Sequence, residues 1–239
     1  MNASPTGRTA IVTGASRGIG LAITRALAGS GTRVAMLARG AEALAARATE
    51  IGPAAMPIPC DVSDADAVAR AAGVISRTFG GAPDILINNA GLFHPMPIEE
   101  VTPQEFASTL RVNLLSAFLM VHTLLPGMRT RHSGHIVTIG SVADRIAMAE
   151  NAAYSASKFG ARALHEVLRT ELRGTGVRVT LVSPGSTDTS IWDGLDRAGT
   201  GRFPPREAML DADAVAAAVL YAVSQPPAVN VDELRLSRA

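Results

Sequence analysis

The chain has 239 residues, 47% apolar and 18% charged, with a formal net charge of +1. That suits one large α/β domain with a full core, and the scattered basic side chains leave no footprint for a nucleic-acid partner. The N-terminus carries no signal-peptide pattern, and the greasiest stretch, Leu114 to Leu125, is too short for a membrane span and is broken by Ser116, His122 and Thr123.

Residues 8–13 read as a buried strand. The glycine-rich loop Gly14, Ala15, Ser16, Arg17, Gly18, Ile19, Gly20 follows, and residues 21–30 then carry apolar side chains at helical spacing. Strand, glycine loop, helix is the context a nucleotide phosphate needs, because glycines admit the backbone to a pyrophosphate and the new helix offers free N–H groups. Residues 33–38 form a second predicted strand, ending in Arg39. Dinucleotide folds place an acid at this strand end for the adenine ribose, whereas an arginine suits a 2′-phosphate. Here the residues are Leu37, Ala38 and Arg39, with Arg17 able to close on the same phosphate, so NADP(H) is preferred and NAD(H) is the alternative.

A helix over 41–51 leads to a strand over 55–60, closed by Asp61 and Val62. Cys60, the single cysteine, cannot form an internal disulfide and reads as a buried filler. It points to a reducing compartment, the cytoplasm. Ser63 is the expected cap of a helix over 64–79. A strand over 84–88 runs into Asn88, Asn89, Ala90 and Gly91. Residues 103–128 read as one long helix holding Asn113 in an apolar setting, where either structural hydrogen bonds or a catalytic water network must satisfy the amide. A strand over 135–139 precedes Ser141, and the C-terminal end of a strand is where open α/β sheets put reactive groups.

The predicted helix over 151–173 carries Tyr154 and Lys158, four apart and so on one face. Lys158 is the only lysine in the chain, and Tyr154 is one of two tyrosines. An amine with a shiftable pKa differs from the arginines used everywhere else. Held near the phenol it favours the phenolate, which suits proton transfer near neutral pH. A strand over 177–182 is followed by Pro184 and Gly185. Residues 187–206, rich in glycine, proline and charge, read as a substrate lid. A helix over 211–224 and a strand over 230–236 complete an alternating β/α order with no repeat, linker or second domain. No metal site is read.

These residues resemble the short-chain dehydrogenase/reductase family along nearly the whole chain. Residues 13–20 match its glycine motif, Asp61–Val62 its adenine-side contact, and residues 88–91 the segment behind the cofactor. Asn113, Ser141, Tyr154 and Lys158 match its catalytic tetrad in order. Pro184, Gly185, Thr187 and Thr189 fall in its nicotinamide-side segment. The departures are Thr138, Ile139 and Gly140 before Ser141, and Ser186 to Asp188 after Gly185.

The resemblance implies a single Rossmann-like, doubly wound domain with a seven-stranded parallel sheet and helices on both faces. It implies a hydride passed between nicotinamide and a carbonyl or carbinol carbon. Tyr154 would move the proton, Lys158 would lower its pKa and bond the nicotinamide ribose, Ser141 would donate to the substrate oxygen, and Asn113 would hold water. A ketone or aldehyde reductase using NADP(H) is the first reading and an NAD-dependent secondary-alcohol dehydrogenase the second. A non-catalytic dinucleotide sensor is the third, and the complete tetrad speaks against it. Phe93, Met96, Val142, Ile146, Met148 and Trp192 are the expected substrate pocket, which suggests an apolar or aromatic carbonyl compound. Arg145 and His94 either greet a substrate carboxylate or lie solvated. The helices over 103–128 and 151–173 carry surplus apolar residues and correspond to the family's subunit interface, so a homodimer or homotetramer is expected.

Overall fold

A computed structural model describes residues 6–193, 195 and 203–239. Seven parallel strands form one sheet in the order β3-β2-β1-β4-β5-β6-β7: β1 Thr9–Thr13, β2 Arg33–Ala38, β3 Ala55–Pro59, β4 Ile85–Asn88, β5 Gly134–Ile139, β6 Val177–Pro184 and β7 Glu233–Leu236. Every residue of β1, β4 and β5 is buried, the pattern of central parallel strands covered on both faces. The order reverses between β1 and β4, and such a switch point opens a crevice at the C-terminal strand ends.

Two cores flank the sheet. On one face α1 (Gly18–Gly29), α2 (Ala41–Ile51) and α7 (Ala212–Val223) pack Ile23, Leu27, Leu44 and Val219 onto Val12, Met36 and Ile87. On the other, α3 (Ala65–Phe79), α5 (Ser116–Thr130) and α6 (Ala152–Glu171) pack Ile75, Met120, Met128 and Leu168 onto Ile11, Leu86 and Ile136.

Several boundaries differ from the sequence reading for physical reasons. The first helix starts at Gly18 rather than 21, so the glycine loop supplies its first turn. Asp64, not Ser63, caps α3 by accepting from Ala67 N at 2.8 Å, while the Ser63 hydroxyl donates to Asp61 Oδ1 at 2.7 Å. The last strand is shorter, beginning at Glu233. The predicted long helix is α4 (Pro103–Leu110), a π-turn over Arg111–Leu115 and α5 in continuous succession. Thr102 and Glu105 form a capping box at its start. Joined by the π-turn, Pro103–Thr130 is long and apolar enough to cross a membrane by length and composition. Here it is a core helix: Met120, Val121, Leu124 and Met128 pack against the sheet layer.

Candidate functional site

One cavity of about 450 Å³ lies along the C-terminal strand ends. One end is built by the β1–α1 loop. Gly14 and Gly18 have φ of +65° and +54°, where a side chain is strained. A Cβ on Gly20 would stand 2.3 Å from Gly14 O and 2.5 Å from Asn89 Nδ2, so only glycine lets α1 fold back this closely. Asn89 Nδ2 donates to Thr13 O at 2.9 Å, and Thr13 Oγ1 accepts from Asn89 N at 2.9 Å and Ala90 N at 3.0 Å. These bonds lock the β4 segment against the loop.

The N-terminus of α1 has no side-chain cap and no acid in its first turn. Uncapped N–H groups and a positive dipole end fit a pyrophosphate. Gly14, Ser16, Arg17, Gly18 and Ile19 line the cavity, and Gly20 sits behind them. Arg17 and Arg39 also line it, both exposed, and neither guanidinium is hydrogen-bonded or ion-paired to a described residue. Asp61 lines the wall with Val62. Hydrogen bonds from Ser63 hold its carboxyl below the usual range. Cys60 is buried among the lining residues, where burial first and then Asp61 and Asp64 push its thiol up to about 11, so it is no thiolate nucleophile.

Ser141, Tyr154 and Lys158 line it away from that loop, and Ala90, Gly91, Pro184, Gly185, Thr187 and Thr189 line it as well. Lys158 Nζ donates to Ile139 O at 2.9 Å and stands 5.6 Å from the Tyr154 ring centroid. Burial lowers its pKa to about 8 against the raising effect of Asp144. Ser141 Oγ accepts from Ala143 N at 3.1 Å.

The expectation that Lys158 depresses the Tyr154 pKa is corrected for the protein's own groups. Burial raises it, a hydrogen bond with Ser141 lowers it, and Asp144 raises it. The lysine is turned to a backbone carbonyl, so desolvation wins.

Asn113 lies in the π-turn, directly behind the lining residues Gly91 and Leu92. Its Oδ1 accepts from Leu92 N at 2.7 Å and its Nδ2 donates to Leu92 O at 2.9 Å and Ser157 Oγ at 3.0 Å. Ser157 Oγ in turn donates to Tyr154 O at 2.7 Å. These bonds tie the amide to the segment that presents Phe93.

Phe93, Val142, Met148 and Trp192 line the cavity as expected. Met96 and Ile146 do not: Met96 N donates across to Glu150 O of the loop before α6 at 2.8 Å, and Ile146 is exposed. Leu92, Val112 and Ile191 line it without having been singled out. Phe93 packs edge-on to Tyr154 at 4.8 Å and to Trp192 at 5.2 Å between centroids. Phe203 joins them, 5.6 Å from Trp192. The expected lid over 187–206 is described only in part; 194 and 196–202 lie outside the described residues. Arg206 ties its two sides, meeting Asp188, Thr189 O at 2.7 Å and Asp193 at 2.8 Å. His94 is exposed, whereas Arg145 turns inward to Asp144 at 2.8 Å and Glu233 at 2.6 Å, so neither meets a substrate carboxylate through the described cavity.

Residues 8–198 match the family model for short chain dehydrogenases. The chain belongs to that family, whose members are oxidoreductases acting on alcohol or carbonyl groups with a nicotinamide dinucleotide. It is 38% identical over 230 residues to D-threitol dehydrogenase of Mycolicibacterium smegmatis, covering 93% of this chain and 88% of that one. Among solved structures, a metagenomic short-chain oxidoreductase in complex with NADP is 34% identical with a TM-score of 0.85, covering 99% of each chain. An alcohol dehydrogenase from the archaeon Thermococcus sibiricus, complexed with 5-hydroxy-NADP, is 31% identical with a TM-score of 0.86, covering 97% of each.

Proposed function

We propose that the chain is an NADP(H)-dependent reductase of ketones or aldehydes. The observation that carries this is the pairing of two ends in one cavity. Exposed Arg17 and Arg39 stand at the adenine side with no carboxylate from 37 to 40, and Tyr154 with Lys158 and Ser141 stands at the other. Charge-assisted bonds from two guanidinium groups suit a 2′-phosphate. The NADP complexes of two structural neighbours agree with that preference.

The cofactor, when bound, supplies the hydride chemistry. Tyr154, held protonated by burial, donates to the substrate oxygen, and the Ser141 hydroxyl donates a second hydrogen bond to the same developing charge. Lys158 places its ammonium beside the Tyr154 ring and would hold the nicotinamide ribose when the cofactor is bound. Asn113 positions Phe93, and through Ser157 the Tyr154 backbone. Phe93, Trp192 and Phe203 make an apolar wall around the reacting hydroxyl, which favours an apolar or aromatic carbonyl compound over a polyol. Residues 187–206 serve as its lid.

A panel of aryl and alkyl ketones, with NADPH oxidation followed by absorbance, tests this reading. Turnover with NADPH on aromatic ketones is expected, and turnover only on polyols with NAD would overturn it. That opposite reading, an NAD-dependent secondary-alcohol dehydrogenase, draws support for its alcohol substrate from the relative named D-threitol dehydrogenase.

The enzyme works as a homodimer or homotetramer. Leu115, Phe118, Phe159 and Val167 stand exposed on the π-turn, α5 and α6, a patch that a second copy would cover. Light scattering at micromolar concentration should return a multiple of the 24.7 kDa chain mass; a monomer contradicts it.

A further inference from the structure

The loop after β5 holds a buried carboxylate that touches neither Tyr154 nor Lys158 through a hydrogen bond. Asp144 is fully buried. Its Oδ2 accepts from Ser183 Oγ of β6 at 2.5 Å and from Ser141 N at 3.3 Å, and its Oδ1 accepts from Arg145 Nε at 2.8 Å. Arg145 continues to Glu233 of β7 at 2.6 Å, and Arg162 of α6 meets the same Glu233 at 3.4 Å. The space for this carboxylate comes from Gly140, where a Cβ would stand 2.4 Å from Asp144 Oδ2 and 2.9 Å from Ser183 Oγ. A buried ion pair is poor ground for stability alone, since well-packed apolar side chains do as well. Its place directly behind Ser141 suggests a role in the reaction.

We propose that Asp144 is a positioning residue, holding the Ser141 backbone from behind and setting a fixed negative charge beside the Tyr154–Lys158 pair. The inference rests on the proposed role of Tyr154 as the acid. The same carboxylate raises the pKa of both Tyr154 and Lys158. For the lysine it works against burial and preserves the ammonium. For the phenol it works with burial and preserves the proton until a substrate oxygen takes it. Asp144 is the charged group that acts on this pair, and it is itself faced by Arg145 from the loop and Arg162 from α6, both of which reach Glu233 of β7; β5 contributes the Ile139 carbonyl to Lys158 and β6 the Ser183 hydroxyl to Asp144.

The test uses the chain's two tyrosines, Tyr154 and Tyr221. In a Tyr221→Phe background, phenolate absorbance titrates Tyr154 alone, with no substrate or cofactor needed. Asp144→Asn in that background is expected to lower the titration midpoint by about one unit. It should also lower kcat by about tenfold or more while the affinity for NADPH stays within about twofold of wild type. A midpoint that does not move, or moves up, overturns the proposal. Failure of the reductase reading shows separately, as wild-type protein that turns over no carbonyl compound with NADPH. Should Asp144→Asn fail to fold, Ser183→Ala removes a single hydroxyl from the carboxylate. It should cut kcat about threefold to tenfold at unchanged NADPH affinity, and an unchanged kcat overturns the proposal.

Discussion

The two ends of the cavity are made of different material. At the adenine side the work is done by backbone: glycines at positive φ, an uncapped helix N-terminus, and asparagine bonds to main-chain carbonyls. Its two arginines stand in solvent. At the catalytic side the work is done by buried polar side chains: Lys158 against a carbonyl, and Asp144 among Ser141, Ser183 and Arg145. The first end can change its ligand preference through exposed charge at little cost to the fold. The second carries desolvated groups that weaken the fold in order to hold a proton in place.

If that division is right, the largest effect comes from the catalytic end. Tyr154→Phe keeps the ring and removes the transferable proton, and it should lose about 10²–10⁴-fold in kcat. NADPH affinity, measured by fluorescence titration, should remain within about twofold. A variant that keeps more than about a tenth of wild-type kcat breaks the assignment.

Next is the adenine end. Arg39→Asp removes a charge-assisted bond that contributes roughly 1.5–3 kcal/mol. NADPH should bind about tenfold to a hundredfold more weakly, with NADH almost unchanged and the melting temperature unaltered. Equal loss for both cofactors would show that Arg39 supports the site rather than selecting the phosphate.

A smaller effect concerns Lys158, where function and stability oppose each other. Its folded pKa of about 8 lies below the ordinary 10.5. Below about pH 8 the native state therefore keeps a buried charge that the unfolded chain solvates. The penalty is full there and fades as pH rises from about 8 to 10.5. It amounts to roughly 3 kcal/mol, offset by the bond to Ile139 O. Lys158→Met should abolish turnover yet melt at or above wild type at pH 7, with the difference closing at pH 10. In the wild type, kcat for reduction should fall as pH rises through about 8, because the ammonium is lost. A clear drop in melting temperature at pH 7 would mean that the lysine is a net support of the fold.

Much of this was legible in the sequence, unevenly between the two ends. Alternating buried strands and amphipathic helices announced the doubly wound sheet, and the glycine loop needs only its own residues to be recognised. Tyr154 and Lys158 were marked by spacing and by lysine scarcity. The π-turn at Asn113 was not legible, because a π-turn leaves the apolar helical pattern intact and shows itself only in hydrogen bonds to Leu92. Nor was the inward turn of Arg145, since its partners Asp144 and Glu233 lie on a loop and a strand 89 positions apart in sequence order. Asp144 went unread, although its place three residues after Ser141 has capping-box spacing and was the available signal. Met96 and Ile146 were misplaced because loop residues carry no period to say which way they face.

The most direct measurement is isotope transfer. NADPH carrying deuterium at the transferable C4 position is incubated with wild-type protein and an aryl ketone, and the product alcohol is weighed by mass spectrometry. Wild type should give one deuterium on the carbinol carbon, and Tyr154→Phe almost no product. Product without deuterium, or equal product from the variant, would contradict it.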